Sequence, residues 1–198
     1  MITEAGIIGK IGLNSAGVGV CFNAIRAKGL DKARIPVHLG LRIAVESHSA
    51  EEAVQSLERV GMASSAHILV ADCMTAIGLE FTSSTFARVP VNEHGFLVHT
   101  NHMLLPHTGI EEPPWLQDSP ARVETMDRNI RNSEYLDWDG FKHLFEDETD
   151  YPCSINRAAE GASEIATLFR IAMGLKRKKA EVMMGRPGGS SEQFILSL

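Results

Sequence analysis

The sequence predicts an α+β fold built largely on antiparallel sheet, and three observations carry that prediction. Strand-like and helix-like segments come in blocks and do not alternate one by one, which argues against a βαβ architecture. The strand-like segments are short, apolar and bounded by turn residues, as the strands of hairpins and meanders are. Helix starts are marked by capping chemistry, at Ser49 with Glu52 and at Ser119-Pro120. A chain of 198 residues, 44% of them hydrophobic, is long enough to bury one core, so residues 1–198 are expected to form a single domain.

From residue 6 to residue 24, two apolar runs flank Asn14-Ser15-Ala16-Gly17, turn chemistry between strand chemistry, and predict a β-hairpin. Its glycines do not make a phosphate cradle, because neither Gly-x-Gly-x-x-Gly leading into a helix nor a Gly-Lys-Ser/Thr ending is present. Residues 36–46 place Val37, Leu41 and Ala44 on one helical face, and the Ser49/Glu52 capping box opens a second helix over Ala50–Val60. After Gly61 the period becomes that of strands, over 67–72 and 75–81. The second run alternates Ile77, Leu79 and Phe81 against Ala76, Gly78 and Glu80. Residues 86–90 and 95–100 are expected to continue the meander, and Pro113 and Pro114 end it. Ser119 then caps a helix with Pro120 at its first position and Val123, Met126 and Ile130 on one face. A short helix over 140–145 precedes an acidic loop, 146–150, which lacks EF-hand spacing and is read as solvated. Strands return at 167–174, 180–184 and 193–198, joined by turns at 175–179 and 185–190.

Composition excludes several functions. With 19 Lys and Arg against 25 Asp and Glu, the net charge of −6 disfavours nonspecific nucleic-acid binding and adhesion to anionic membranes. No apolar run approaches the ~20 residues that span a bilayer, and no basic segment followed by an apolar run opens the chain. A soluble, cytoplasmic protein is expected, acting on a small molecule. Cys21, Cys73 and Cys153 stand singly, without the spacing of a disulfide framework or a metal or redox pair. Cys21, inside an apolar run, reads as a small buried hydrophobe.

The densest polar cluster is Val98-His99-Thr100-Asn101-His102, where a strand should end and a loop begin. Two chemistries are open there. His99 and His102, with His94 and His107 nearby, carry imidazoles suited to a metal, but on an extended strand the first two would face opposite sides. No metal site and no cofactor are therefore expected. Alternatively the cluster is a hydrogen-bonding site, in which the Asn101 amide donates either to a developing oxyanion or to loop backbone.

Seven segments extend this reading. Ile2-Thr-Glu-Ala-Gly-Ile-Ile-Gly-Lys10, Gly12-Leu-Asn-Ser-Ala-Gly-Val18, Gly78-Leu-Glu-Phe81, His99-Thr-Asn-His102, Tyr151-Pro, Ala166-Thr-Leu-Phe169 and Gly185-Arg-Pro187 stand in one order along nearly the whole chain. In that order and with similar separations they resemble the fungal acyl-coenzyme A:6-aminopenicillanic-acid acyltransferases, also called isopenicillin N acyltransferases. The resemblance implies the N-terminal-nucleophile (Ntn) hydrolase fold, an αββα sandwich of two largely antiparallel sheets between helices. It also implies a mechanism: a precursor cleaves itself before a cysteine, whose freed α-amino group, with an unperturbed pKa of about 7.7 to 8.0, serves its own thiol as base, and acyl transfer passes through a thioester. Acyl-coenzyme A would be a substrate, not a cofactor.

Site residues carry over one by one. Asn101 matches the oxyanion-hole asparagine. Thr82 and Thr85 fall where the family has two serines relevant to processing and activity. Ser163 matches a serine of the substrate pocket. Glu164 stands where the family has an arginine suited to pairing with the penam carboxylate, so a glutamate there would repel that substrate. Arg122, at the start of a helix, is read as structural. The family's nucleophilic cysteine and first strands lie upstream of the segment resembling Ile2 to Lys10, so the fold is expected to lack them, and none of the three cysteines corresponds to the nucleophile. Exposure of Thr3 as a terminal nucleophile would place it mid-sheet. Two expectations result: the carboxy-terminal part of an Ntn acyltransferase or amidohydrolase, or a catalytically silent relative serving as a binding or subunit-like domain. Either would associate with a nucleophile-bearing segment or with itself. The terminal Leu196-Ser-Leu198 is a poor peroxisomal signal.

Overall fold

The computed structural model describes residues 1–161, 163–189 and 192–198. They form two compact units: Met1–Leu116 with Met173–Lys178 and Leu198, and Gln117–Ala172 with Lys179–Ser197. Both units combine helices with antiparallel sheet, which is the α+β class expected.

The first unit holds a five-stranded antiparallel sheet in sequence order. Its strands are β1 (Gly12–Leu13), β2 (Gly19–Ala24), β3 (Ala66–Ala71), β4 (Ala76–Phe81) and β5 (Phe86–Pro90). The hairpin forms, with β1 shorter than expected: the run before it makes only an isolated bridge between Ile2 and Ile11. At its turn the Asn14 side chain accepts from Val18 N at 3.0 Å and donates to the carbonyls of Val45 and Ser47 at 2.8 and 2.7 Å. The hairpin is thereby tied to the end of α1 (Val37–Glu46).

Between β2 and β3 come α1 and α2 (Ala50–Val60), both as expected. The Ser49 hydroxyl accepts from Glu52 N at 3.1 Å, and the Glu52 carboxylate reaches back to His48 N at 2.8 Å. Gly61 closes α2 at φ +64°, backbone a Cβ would strain. Gly40 of α1 lies against Leu57 of α2 and Met62 just past its end, and the helices' buried Leu41, Ala44, Ala53, Val54 and Leu57 pack with Val20, Ile68, Val70, Leu79 and Phe81 in one core.

The opposite face of this sheet is polar and small. Register sets Asn23 opposite His67, and His67 opposite Glu80. The alternation of β4 predicts a solvent-facing Glu80; instead Gly78, Leu79, Glu80 and Phe81 are all buried. The segment after β5 covers this face around Glu80, and Met173 and Leu175 lie against it at Gly19. Residues 95–100, expected as a strand, are irregular: Gly95 N and the Phe96 backbone close a turn on Asn92, and the Thr100 carbonyl is met by His99 Nδ1.

In the second unit, α3 (Ser119–Arg131) begins one residue earlier than expected, with Asp118 at the N-cap position but no capping bond from its side chain, and with Pro120 in its first turn. The short helix α4 is Trp138–His143, shifted from the expected 140–145 because the Asp137 carboxylate accepts from Gly140 N at 2.7 Å and sets the start. A 3-10 turn, Leu144–Glu146, continues it. The acidic loop is partly tied down: Asp147 accepts from Asn129 Nδ2 at 2.8 Å, and burial works against the low pKa these bonds give it. A three-stranded sheet, β6 (Phe169–Gly174), β7 (Lys179–Met184) and β8 (Gln193–Ser197), completes the chain, with β7 and β8 antiparallel.

Candidate functional site

The expected site residues fall into two groups. Thr82, Thr85 and Asn101 lie in the first unit, and Ser163 and Glu164 in the second.

Around Glu80 the first unit builds a buried polar network. Its side chain is 0% exposed, and four donors converge on the carboxylate. Oε1 accepts from His99 Nε2 at 2.8 Å and Leu104 N at 2.6 Å, and Oε2 accepts from Leu105 N at 3.1 Å and His107 Nε2 at 3.2 Å. Burial alone would raise the pKa of this carboxyl. The hydrogen bonds from His99, Leu104 and Leu105 and the charge of His99 outweigh it, and the group sits below the ordinary glutamate value.

His99 also meets the Thr100 carbonyl through Nδ1, at 2.9 Å. Both ring nitrogens therefore face acceptors, and only an imidazolium has an N–H for each. His67 stacks on it, ring centroids 3.5 Å apart and planes within 6°. The His67 Nδ1 meets Asn23 Oδ1 at 2.9 Å, while Nε2 has no hydrogen-bond partner. Burial, helped by the nearby His99 charge, holds His67 well below the usual histidine pKa, so it is the neutral member of the stack. Gly78 makes room for it, since a Cβ there would lie 2.6 Å from His67 Nε2.

Thr82 and Thr85 are brought together at the β4–β5 turn, with hydroxyl oxygens 2.8 Å apart. Thr85 Oγ1 lies 2.8 Å from His107 Nδ1, which extends the network from Glu80 through His107 to both threonines. Asn101 Nδ2 donates to the Ala24 carbonyl at the end of β2, at 3.0 Å, and the carboxamide is thereby oriented. Of the four histidines weighed for a metal, His99 and His107 both meet Glu80, whereas His102 Nδ1 lies 3.4 Å from Thr100 Oγ1 and His94 pairs on the surface with Glu93. Among the described residues no group of three or more His, Cys, Asp or Glu side chains is arranged to hold a metal ion.

In the second unit Ser163 is buried. Its hydroxyl donates to the Ile165 carbonyl at 2.8 Å and accepts from Arg157 at 3.2 Å. Arg157 and Arg122 share the Asp118 carboxylate at 3.0 and 2.6 Å, the structural role expected of Arg122. Glu164, one residue past Ser163, is exposed.

The cysteines differ in character. Burial pushes the Cys21 thiol up to about 11, the behaviour of a packed, inert residue. Cys73 is exposed at the β3–β4 turn, and Cys153 lines a small pocket with Asp118, Arg122 and Thr125.

Sequence reasoning named Asn101, Thr82 and Thr85 but missed Glu80 and His67, and weighed His107 only as a metal ligand. The available signal was the single polar residue in each of three neighbouring apolar strands, Asn23, His67 and Glu80, which antiparallel pairing sets side by side.

An α+β protein with antiparallel sheets and a buried carboxylate–imidazole network beneath an asparagine loop is the class so defined. The family described as acyl-coenzyme A:6-aminopenicillanic acid acyl-transferase matches residues 1–189, and the chain belongs to that family. It is 42% identical over 200 residues to the 40 kDa form of acyl-coenzyme A:6-aminopenicillanic-acid-acyltransferase of Emericella nidulans, an alignment covering 100% of this chain and 56% of the relative. The chain thus spans about half the length of the curated relative it matches. Among the described residues no helix is long and apolar enough to cross a membrane.

Proposed function

We propose that this chain forms the oxyanion-stabilising part of an Ntn-type acyltransferase or amidohydrolase. It moves an acyl group between coenzyme A and an amine, or hydrolyses a small amide. Asn101 donates to the oxygen of the tetrahedral intermediate. The single observation that carries the reading is the fixed loop around Asn101, whose flanking groups close onto Glu80 and whose carboxamide is aimed by Ala24. A preorganised donor stabilises developing charge without reorganising, and that is where an oxyanion hole gets its strength.

The covalent step asks for a thiolate, and Cys21, with its raised pKa, does not supply one. Since none of the three cysteines corresponds to the family's nucleophile in the resemblance, the reading places it on a cysteine-headed segment. Ser163 and Glu164 are proposed for the acceptor side, where an exposed carboxylate favours an amine without a carboxylate of its own.

The test is acyl transfer from an acyl-coenzyme A, followed by release of free coenzyme A, with the chain joined to or mixed with a cysteine-headed segment. Turnover is expected, and Asn101→Ala should lower kcat by roughly 10²–10³ with KM little changed. Turnover untouched by Asn101→Ala removes Asn101 from the chemistry. Absence of turnover with every cysteine-headed segment favours the silent, binding-domain alternative.

A further inference from the structure

We propose that Glu80 is the positioning residue of the Asn101 loop, acting on one side through His99 and on the other through the backbone of Leu104 and Leu105. Its functional meaning rests on Asn101 as the oxyanion donor; the geometry does not.

The connections can be traced atom by atom. Glu80 Oε1 takes the Nε2–H of His99, and the Nδ1–H of the same ring goes to the Thr100 carbonyl, the carbonyl of the peptide bond that leads into Asn101. Four residues on, Leu104 N returns to the same oxygen at 2.6 Å, and Leu105 N takes the other oxygen. The segment that holds Asn101 is thus closed at both ends on one side chain. That side chain stands on β4, paired on both sides within the sheet, so the loop inherits the rigidity of the sheet.

Other arrangements would fill this space less well. A glutamine can accept with one oxygen but presents an N–H₂ on the other side, so either the pair His99 and Leu104 or the pair Leu105 and His107 would meet a donor. An apolar residue would leave all four donors buried and unpaired. The charge is matched locally, one carboxylate against one imidazolium, and neutral His67 stacked on His99 adds a polarisable face without a second charge. Position is what this arrangement controls: a misplacement of about 1 Å at a reacting group costs on the order of 10²-fold in rate.

The experiment starts with the wild-type chain, labelled with ¹⁵N. The Leu104 and Leu105 amides should exchange with solvent at least about a hundredfold more slowly than amides of exposed loops, because their opening requires the network to open. Fast exchange at both leucines overturns the proposal without any variant.

Two substitutions then separate positioning from mere stability. Glu80→Gln and His99→Phe, the second keeping a ring on His67, are expected to shift and broaden the Asn101 carboxamide signals while the amides of Val20, Ile68 and Val70 stay in place. Wherever acyl transfer is measured, each should lower kcat by about a hundredfold and leave KM unchanged. A folded variant with unchanged Asn101 signals overturns the proposal. If the signals move as expected but kcat does not, the geometry stands and it is the reading of Asn101 as oxyanion donor that fails.

Discussion

At single residues, the proposed acceptor side and the response to acid can each be tested. Glu164 is exposed beside a buried serine, and its carboxylate sets a sign that the resemblance would reverse. Glu164→Arg should therefore improve the use of a carboxylate-bearing amine such as 6-aminopenicillanic acid relative to an uncharged amine, because a guanidinium fork matches a carboxylate. The ratio of kcat/KM for the two amines is the measurement; a ratio that does not move toward the penam removes Glu164 from the acceptor side. His67 is expected to contribute to the acid response. Its folded pKa is depressed, so below about 6.5 the unfolded chain takes up a proton that the native protein refuses. Native stability contributed by the neutral ring is full above that pH and is lost as the pH falls toward the depressed value. Glu80, also depressed, continues the loss in the same direction at lower pH, below its ordinary carboxyl range. Thermal midpoints should fall between pH 7 and pH 5, and His67→Gln, which keeps an amide for Asn23 but does not titrate, should flatten that slope. An unchanged slope in the variant would assign the acid response to other groups.

At the scale of elements, what could be read in the sequence was whatever is determined locally. The Ser49/Glu52 box opened α2 where expected, and the Asn14 turn made the hairpin, because capping and turn chemistry act within four residues. Ser49→Ala should cost about 1 kcal/mol, and with ~2–4 °C per kcal/mol for a chain of this size the melting midpoint should drop by a few degrees. A midpoint unchanged within one degree would mean that the Asp72 carboxylate, which accepts from Ala50 N at 2.8 Å, suffices to cap the helix. What could not be read depends on distant partners. Residues 95–100 have strand composition yet no ladder, since their neighbours are anchored to Glu80, nearly twenty positions earlier. Glu80 itself followed a two-residue alternation that predicts solvent, and only the pairing of Asn23 with His67 and of His67 with Glu80 shows a second buried face. The same limit separates the site residues. Asn101 was found by motif, whereas Glu80, which holds its loop, looked like the polar side of an ordinary strand.

For the whole molecule, charge and exposed apolar surface oppose each other. The chain carries a net charge of −6, which keeps copies apart at low ionic strength. Against this stands β8, every residue of which is exposed, with Phe194 at 48%, Ile195 at 58% and Leu196 at 47%. It lies at the end of its sheet's strand order, with an unpaired edge, and a long apolar edge strand is a template for pairing with another chain. Consecutive apolar residues point to opposite faces of a strand, so β8 offers apolar contact on both faces as well as along its edge. Added salt screens the repulsion over a Debye length that falls from about 30 Å at 0.01 M to about 8 Å at 0.15 M, while apolar burial is not weakened. Association of the isolated chain should accordingly increase between those two ionic strengths, seen as a rise in weight-average mass by light scattering at fixed protein concentration. Ile195→Lys should suppress it, because it places a charge at the middle of β8 and breaks the apolar run without touching the core. A chain that stays monomeric at both ionic strengths and melts in one sharp transition without binding a hydrophobic dye would show that the β8 edge is not adhesive. If Ile195→Lys associates as strongly as the unaltered chain, the contact lies elsewhere on the surface.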